Sequence, residues 1–374
     1  MIVRTVYSSI KDAMFKGKAI ILYGSRQVGK TTITQQLASE FEGEYLLLDC
    51  DEPDVRALME NITSTQLKAI IGHKKILFID EAQRAKNIGI TLKLITDKIK
   101  TVQVIATGSS ALEMASEINE PLTGRKYEYQ IHPISIEEMS NHTSWLEESR
   151  LLEQRLIYGL YPDITQNQGE AERLLRTLVS SYLYKDLLSL GGIRKPELLQ
   201  KILQALAFQV GSEVSYNELS RMLGVDKTTI SRYIDLLEKT FIIFKLSAFS
   251  RNLRSEITTS KKIYFWDNGV RNAVISNFNK VAQRTDIGAL WENFMISERL
   301  KQNHNHLRYA QHFFWRSTMQ QEIDLIEEKN QILNAFEFKW NEKLKARIPA
   351  TFTKNYQPNE TGIISRVNYQ PFVS

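Results

Sequence analysis

"ILYGSRQVGKTT", Ile21 to Thr32, decides how the rest of this 374-residue chain is read. An apolar strand pattern runs straight into G-x-x-x-x-G-K-T, Gly24 to Thr31, and a helical pattern opens behind it. Glycines let the backbone curl so that its N–H groups point inward, and the N-terminus of the following helix adds a favourable dipole. The spacing assigns Gly24, Ser25, Arg26, Gln27, Val28, Gly29, Lys30, Thr31 and Thr32 to the phosphates of a nucleoside triphosphate. Lys30 would reach the β and γ groups, and the Thr31 hydroxyl would hold Mg²⁺. ATP and Mg²⁺ are the ligands this pattern predicts.

Outward from that loop, "AIILYG", "EYLLLD", "KILFID", "VQVIATG" and "YEYQI" are strand-like runs, with amphipathic segments between most of them. That rhythm predicts a parallel α/β sheet. "KILFIDEAQ" ends in Asp80-Glu81, where the aspartate can join the magnesium shell and the glutamate can polarise an attacking water. "VQVIATGSSAL" brings Thr107 or Ser109 beside the γ-phosphate if its strand lies between the other two; turn and helix-cap chemistry is the competing role. Arg125, just ahead of "YEYQI", is a candidate for stabilising transition-state charge, with an exposed ion pair as the alternative.

Together "GSRQVGKTT", "ILFIDEAQ", "ATGSSA" and "LTGRKYEYQIHPIS" resemble the AAA+ ATPases of bacteria and archaea, in particular the group carrying a C-terminal domain of unknown function. "SSYLYKDLL", "KIYFWDNGVRNAV" and "GALWENFMISERL" are similar to that C-terminal region, so the resemblance covers nearly the whole chain. It implies an additional-strand P-loop fold with Lys30, Thr31, Asp80 and Glu81 in the family's usual roles. It supplies no cellular task. AAA+ relatives often form rings, so a homo-oligomer is carried as an expectation with no interface residues to name.

Composition sets the outer bounds. With 43% apolar and 24% charged residues, the chain has room for two or three domains with proper cores. No apolar run approaches the roughly 20 residues of a membrane helix, and "MIVRTVYSSIKDAMF" lacks the apolar core of a signal peptide. A cytoplasmic protein without a membrane partner is expected. The single Cys50 excludes an internal disulfide, and six scattered histidines without ligand spacing argue against zinc. The net charge of +5 is unevenly spread: thirteen Lys or Arg against eight Asp or Glu between Lys185 and Lys262 account for all of it. Such a segment suits a polyanion, or is simply a solvated surface.

Within it, "YNELSRMLGVDKTTISRYIDLLEKTFIIFKL" contains two helical runs around "LGVDK". A helix-turn-helix needs a small residue where the helices touch, a turn residue tolerating positive φ and a branched apolar residue on the second helix. Ser220, Gly224 and Ile230 fall at those positions, and "FIIFKLSAF" with "KKIYFW" would supply a wing. Lys227, Thr228, Thr229, Ser231 and Arg232 then sit where a recognition helix contacts DNA. A structural or protein-docking winged helix is the alternative.

Near the C-terminus, "QEIDLIEEKNQILNAFEFKW" reads as a hairpin turning at Lys329-Asn330. That turn pairs 324 with 335 and makes Asp324 and Glu337 diagonal neighbours on one face, shared by Lys339. Two carboxylates and a lysine can hold Mg²⁺ and activate water for phosphodiester hydrolysis. With helical Glu292 the set resembles the active site of restriction-endonuclease-like nucleases, which implies metal ligation by Asp324 and Glu337 and catalytic roles for all four residues. A register slip by one would separate them, and a solvent face with unrelated charges is the alternative.

The expected architecture is α/β: an AAA+ P-loop parallel sheet (residues 1–140), a helical and winged helix-turn-helix domain (141–284), and a restriction-endonuclease-like α/β domain (285–374). The expected activity is ATP hydrolysis by a protein acting on DNA. The runner-up is a nucleotide-gated regulator or scaffold that cuts nothing.

Overall fold

Five short apolar runs supply the first sheet. The computed structural model describes residues 1–109, 121–183, 195–250, 261–343 and 346–374, and in it these runs are β1 (Ala19–Tyr23), β2 (Tyr45–Asp49), β3 (Ile76–Asp80), β4 (Gln103–Gly108) and β5 (Lys126–Gln130). Neighbours pair in parallel in the order β2-β3-β4-β1-β5. Helices cover both faces of such a sheet, which is why β1, β3 and β4 read as unbroken apolar runs instead of alternating ones. Ile20, Leu22, Phe78 and Ile105 join one core, while Ile21, Leu77, Ile79 and Ala106 join the other. Because β4 lies between β1 and β3, its polar end reaches the space between the phosphate loop and Asp80.

The middle of the chain is helical, as its leucine spacing predicts. Helix Pro196–Phe208 buries Leu198, Leu199, Ile202, Leu203 and Leu206 on one face. Gly191-Gly192 and most of "SSYLYKDLL" lie outside the described residues. Helices Tyr216–Leu223 and Lys227–Lys239 follow.

A second sheet joins the middle to the C-terminus. Its strands are β6 (Glu213–Val214), β7 (Ile243–Ala248), β8 (Lys261–Phe265), β9 (Gln311–Arg316), β10 (Glu322–Lys329), β11 (Ile332–Phe338) and β12 (Glu360–Ile364), in the order β12-β11-β10-β9-β7-β8-β6. The expected wing is the antiparallel β7–β8 ribbon, whose connecting residues 251–260 lie outside the described ones. This ribbon does not end as a free wing: β7 runs parallel to β9 through Ser247–Phe313 and Ala248–Phe314. Middle and C-terminal segments therefore share one sheet.

The β10–β11 hairpin departs from the expected register. Its turn residues are Asn330 and Gln331, both at positive φ (52° and 66°), and Lys329 pairs with Ile332. Two adjacent positive-φ residues match the twist of a tight hairpin, which Lys329-Asn330 would not have placed correctly. Moving the turn by one position moves every partner by two. Asp324 therefore falls opposite Glu337 instead of diagonal to it, and because side chains alternate with period two the shared face survives.

Helix Ile287–Asn305 buries 13 of its 19 residues and ties the C-terminal segment to the first sheet. Its Glu298 accepts a hydrogen bond from the Ile136 backbone N–H (2.6 Å), and its His304 Nδ1 lies 2.7 Å from His132 Nε2, just past β5. No helix among the described residues is long and apolar enough to cross a membrane.

Candidate functional site

The loop between β1 and helix Lys30–Glu40 has the backbone its glycines predict. Gly24 (φ 157°) and Gly29 (φ 98°) lie at positive φ, and a Cβ on Gly24 would run into the carbonyl of Ile131. Val28 is fully buried beneath the loop. Lys30 is also buried and donates to the carbonyl oxygens of Gly24 (2.8 Å) and Ser25 (2.9 Å), so its ammonium lies inside the curl. Arg26, Gln27, Gly29, Lys30, Thr31 and Thr32 line a cavity of about 470 Å³ that Glu81 also faces.

The end of β3 completes this site. Thr31 Oγ1 lies 3.3 Å from Asp80 Oδ2, and Thr107 Oγ1 donates to Asp80 Oδ1 from the neighbouring β4. The two hydroxyls orient the carboxylate without neutralising it, an arrangement that fits a magnesium shell. Glu81 is a non-glycine residue in the left-handed region (φ 47°), a conformation that costs on the order of 1–3 kcal/mol and clusters at functional positions. Gln83 donates to Glu81 Oε2 (2.5 Å) and to Ser109 Oγ (3.1 Å), which places Ser109 beside the glutamate. Arg125 is elsewhere. It precedes β5 at the level of Ala19, the first residue of β1, while the phosphate loop follows the last. Five residues at roughly 3.3 Å each separate those levels by about 16 Å. Arg125 instead pairs with Asp97 (2.8 Å) at the surface, so it does not serve this chain's own phosphate loop.

Between the two middle helices, Gly224 adopts the left-handed conformation (φ 66°, ψ 36°), Ser220 hydrogen-bonds the Val225 carbonyl and Ile230 is fully buried. Asp226 caps the second helix by accepting from the Thr229 backbone N–H (2.8 Å) and Thr229 Oγ1 (2.7 Å). That engagement takes Thr229 out of the simple contact set. Lys227, Thr228 and Arg232 are exposed and Ser231 is half-buried. The basic excess around them is smaller at the surface than the count suggests: Lys245 is tied to Asp235 and Glu238, and Lys262 is buried.

Glu292, Asp324, Glu337 and Lys339 come together where helix Ile287–Asn305 crosses the second sheet. Asp324 Oδ2 accepts from the Phe338 backbone N–H (2.8 Å), and Lys339 Nζ bonds Glu337 Oε1 (2.6 Å). Glu337 Oε2 is buried without a hydrogen-bond partner among the described residues. Burial, then the charges of Glu292 and Glu337, push the Asp324 carboxyl well above its usual range. The residue that sequence reading missed is Lys262. Its ammonium contacts Glu322 (2.5 Å), Glu292 (3.1 Å) and, more distantly, Asp324 (3.9 Å), and Tyr264 donates to Glu292 (2.6 Å) from the same strand face. The signal was a lysine and a tyrosine two apart in "KKIYFW". Among the described residues, no three His, Cys, Asp or Glu side chains are arranged to hold a metal ion. Asp324 and Glu337, expected as metal ligands, have lysine ammoniums for neighbours instead.

Comparisons with known proteins match three stretches of the chain. Residues 16–140 match the family model described as "AAA domain". That part of the chain is similar to an AAA-type domain. Residues 149–281 and 287–371 match two models each described as a domain of unknown function, DUF8612 and DUF4143. An uncharacterized protein of Mycobacterium tuberculosis is 24% identical over 344 residues, covering 90% of this chain and 73% of its own. One from Methanocaldococcus jannaschii is 25% identical over 317 residues, covering 74% and 67%. Among solved structures, a Walker-type ATPase of Pyrococcus abyssi aligns at TM-score 0.49 and 16% identity over 74% of this chain and 96% of that one.

Residues 16–140 do not close their own cleft. Pro162, Asp163 and Gln166 of the short helix Pro162–Gln166 form the opposite wall of the phosphate cavity, and Tyr161 OH lies 3.0 Å from Ser25 Oγ of the loop. Arg4 supports the loop from behind, donating to the carbonyl oxygens of Val28 (2.7 Å) and His132 (2.8 Å) and to Glu138 (3.0 Å). These contacts lie more than 20 residues apart in sequence and carried no motif.

Proposed function

We propose that this chain binds ATP with Mg²⁺, hydrolyses it at the P-loop, and uses the cycle to change how a winged helix-turn-helix engages DNA. The observation that carries the hydrolytic part is that Thr31 and Glu81 line the phosphate cavity, with Asp80 3.3 Å from Thr31 and Ser109 joined to Glu81 through Gln83. Backbone N–H groups from Gly24 to Thr32 cradle phosphate, and Lys30 turns from the loop carbonyls to the β and γ oxygens. Thr31 and Asp80 hold Mg²⁺, which when bound offsets phosphate charge. Glu81 orients and polarises the attacking water, with Gln83 and Ser109 setting its side-chain direction.

DNA is the favoured partner because Lys227, Thr228 and Arg232 project from the first turns of the second helix, the part that enters a groove. The buried Lys262 favours a protein that engages DNA without cutting it over a nuclease. The test is ATP turnover by the purified chain with and without duplex DNA, alongside Glu81→Gln. DNA-stimulated turnover that Glu81→Gln removes supports the proposal. Tight ATP binding with negligible turnover under both conditions overturns the hydrolytic part, and DNA-indifferent turnover overturns the DNA part.

A further inference from the structure

Lys262 is the second residue of β8, and its side chain is 1% exposed. An ammonium leaves water at high cost unless opposite charges surround it. Burial works against its charge, yet Glu292, Asp324 and Glu322 outweigh burial and hold its pKa above the ordinary lysine value. The cation arrives from β8, outside the β10–β11 hairpin that carries Asp324 and Glu337. Tyr264, on the same face, fixes Glu292 in the orientation that meets it. A divalent ion among these carboxylates would lie against this ammonium, and like charges at such distances repel strongly in a poorly solvated place.

We propose that the Lys262 ammonium is the resident cation of the Glu292, Glu322 and Asp324 carboxylates, occupying the place a divalent metal takes in a nuclease, so that no Mg²⁺ or Mn²⁺ binds there while Lys262 is seated. The inference goes beyond the nucleotide site and does not depend on it. With the ammonium removed, the oxygens of Glu292, Glu322 and Asp324 that now close on Lys262 are hard donors that can rearrange around such an ion.

The test uses the full-length chain without nucleotide or DNA and counts bound Mn²⁺ by electron paramagnetic resonance. Wild type and Asp324→Asn should bind the same number of ions. Lys262→Met, which keeps the unbranched chain as far as Cε and removes the ammonium, should gain one Mn²⁺ per chain, and adding Asp324→Asn should abolish that gain. Mn²⁺ should also raise the melting temperature of Lys262→Met and leave wild type unmoved relative to Asp324→Asn. A wild-type ion that Asp324→Asn removes overturns the proposal, as does a folded Lys262→Met that gains none. Should Lys262→Met fail to fold, the wild-type and Asp324→Asn pair decides alone: equal counts support the resident cation, and a lost ion overturns it.

Discussion

Two aspartates on two sheets meet opposite surroundings. Asp80 closes β3, is half-exposed beside Thr31 of the phosphate loop, and is oriented by the hydroxyls of Thr31 and Thr107. Asp324 sits inside β10, almost wholly buried, with a backbone N–H on one oxygen and a lysine approaching the other. Hydroxyls leave a carboxylate's charge available to a metal; an ammonium consumes it. A carboxylate at a strand end beside a loop stays open to a ligand, whereas the same group in mid-strand is defined by whichever strand packs across it.

The largest expected effects fall on the phosphate loop and the acidic pair beside it. Lys30→Ala should raise the dissociation constant for ATP by about 100-fold or more, since a charged partner of phosphate contributes roughly 3 kcal/mol; titration with a fluorescent nucleotide reads this. Glu81→Gln should leave that constant within a few fold and slow turnover by about 100-fold, the lower range for losing a general base, as phosphate-release kinetics would show. An unaltered Glu81→Gln rate would move water activation to another residue.

Smaller effects sharpen the picture of the middle segment. Lys227→Ala with Arg232→Ala should weaken duplex binding and reduce the slope of log affinity against log salt by about 1.8, from two phosphate contacts at roughly 0.9 each. Anisotropy at several salt concentrations measures this; an unmoved slope assigns the helix pair to a structural role.

The smallest expected effect is on pH stability at the junction between the sheets. Burial pushes His304 down to about 4 and His132 well below its ordinary 6.5. Both are held neutral in the folded chain, so the unfolded chain binds more protons on acidification. Their stability contribution is therefore present above pH 6.5 and is lost as the pH falls toward 4. His304 alone should cost about 1.4 kcal/mol between pH 7.5 and 5.5. Urea unfolding at both values, with His304→Gln showing a flatter dependence, checks it.

Much of the first site was legible because its chemistry is local. Gly24, Gly29, Lys30 and Thr31 act through backbone shape within eight residues, and Asp80-Glu81 stand at the end of an apolar run that can only be a buried strand. Gly224 announced its turn in the same local way. Arg125 misled because its position in sequence says nothing about which end of the sheet it occupies. The hairpin register missed by two because a turn type depends on which residues take positive φ, and Asn330-Gln331 competes closely with Lys329-Asn330.

Alone, the sequence determined the parallel sheet, the phosphate loop and its acidic partner, the helix pair, and the common face of Asp324, Glu337 and Lys339, because periodicity and turn chemistry act over a few residues. Only the tertiary structure decided that β7 and β9 fuse two segments into one sheet, that the cleft wall comes from Pro162–Gln166, and that Lys262 enters the carboxylates. Those outcomes depend on packing between elements tens of residues apart, where the burial of one ammonium is settled by the charges that other strands bring to it.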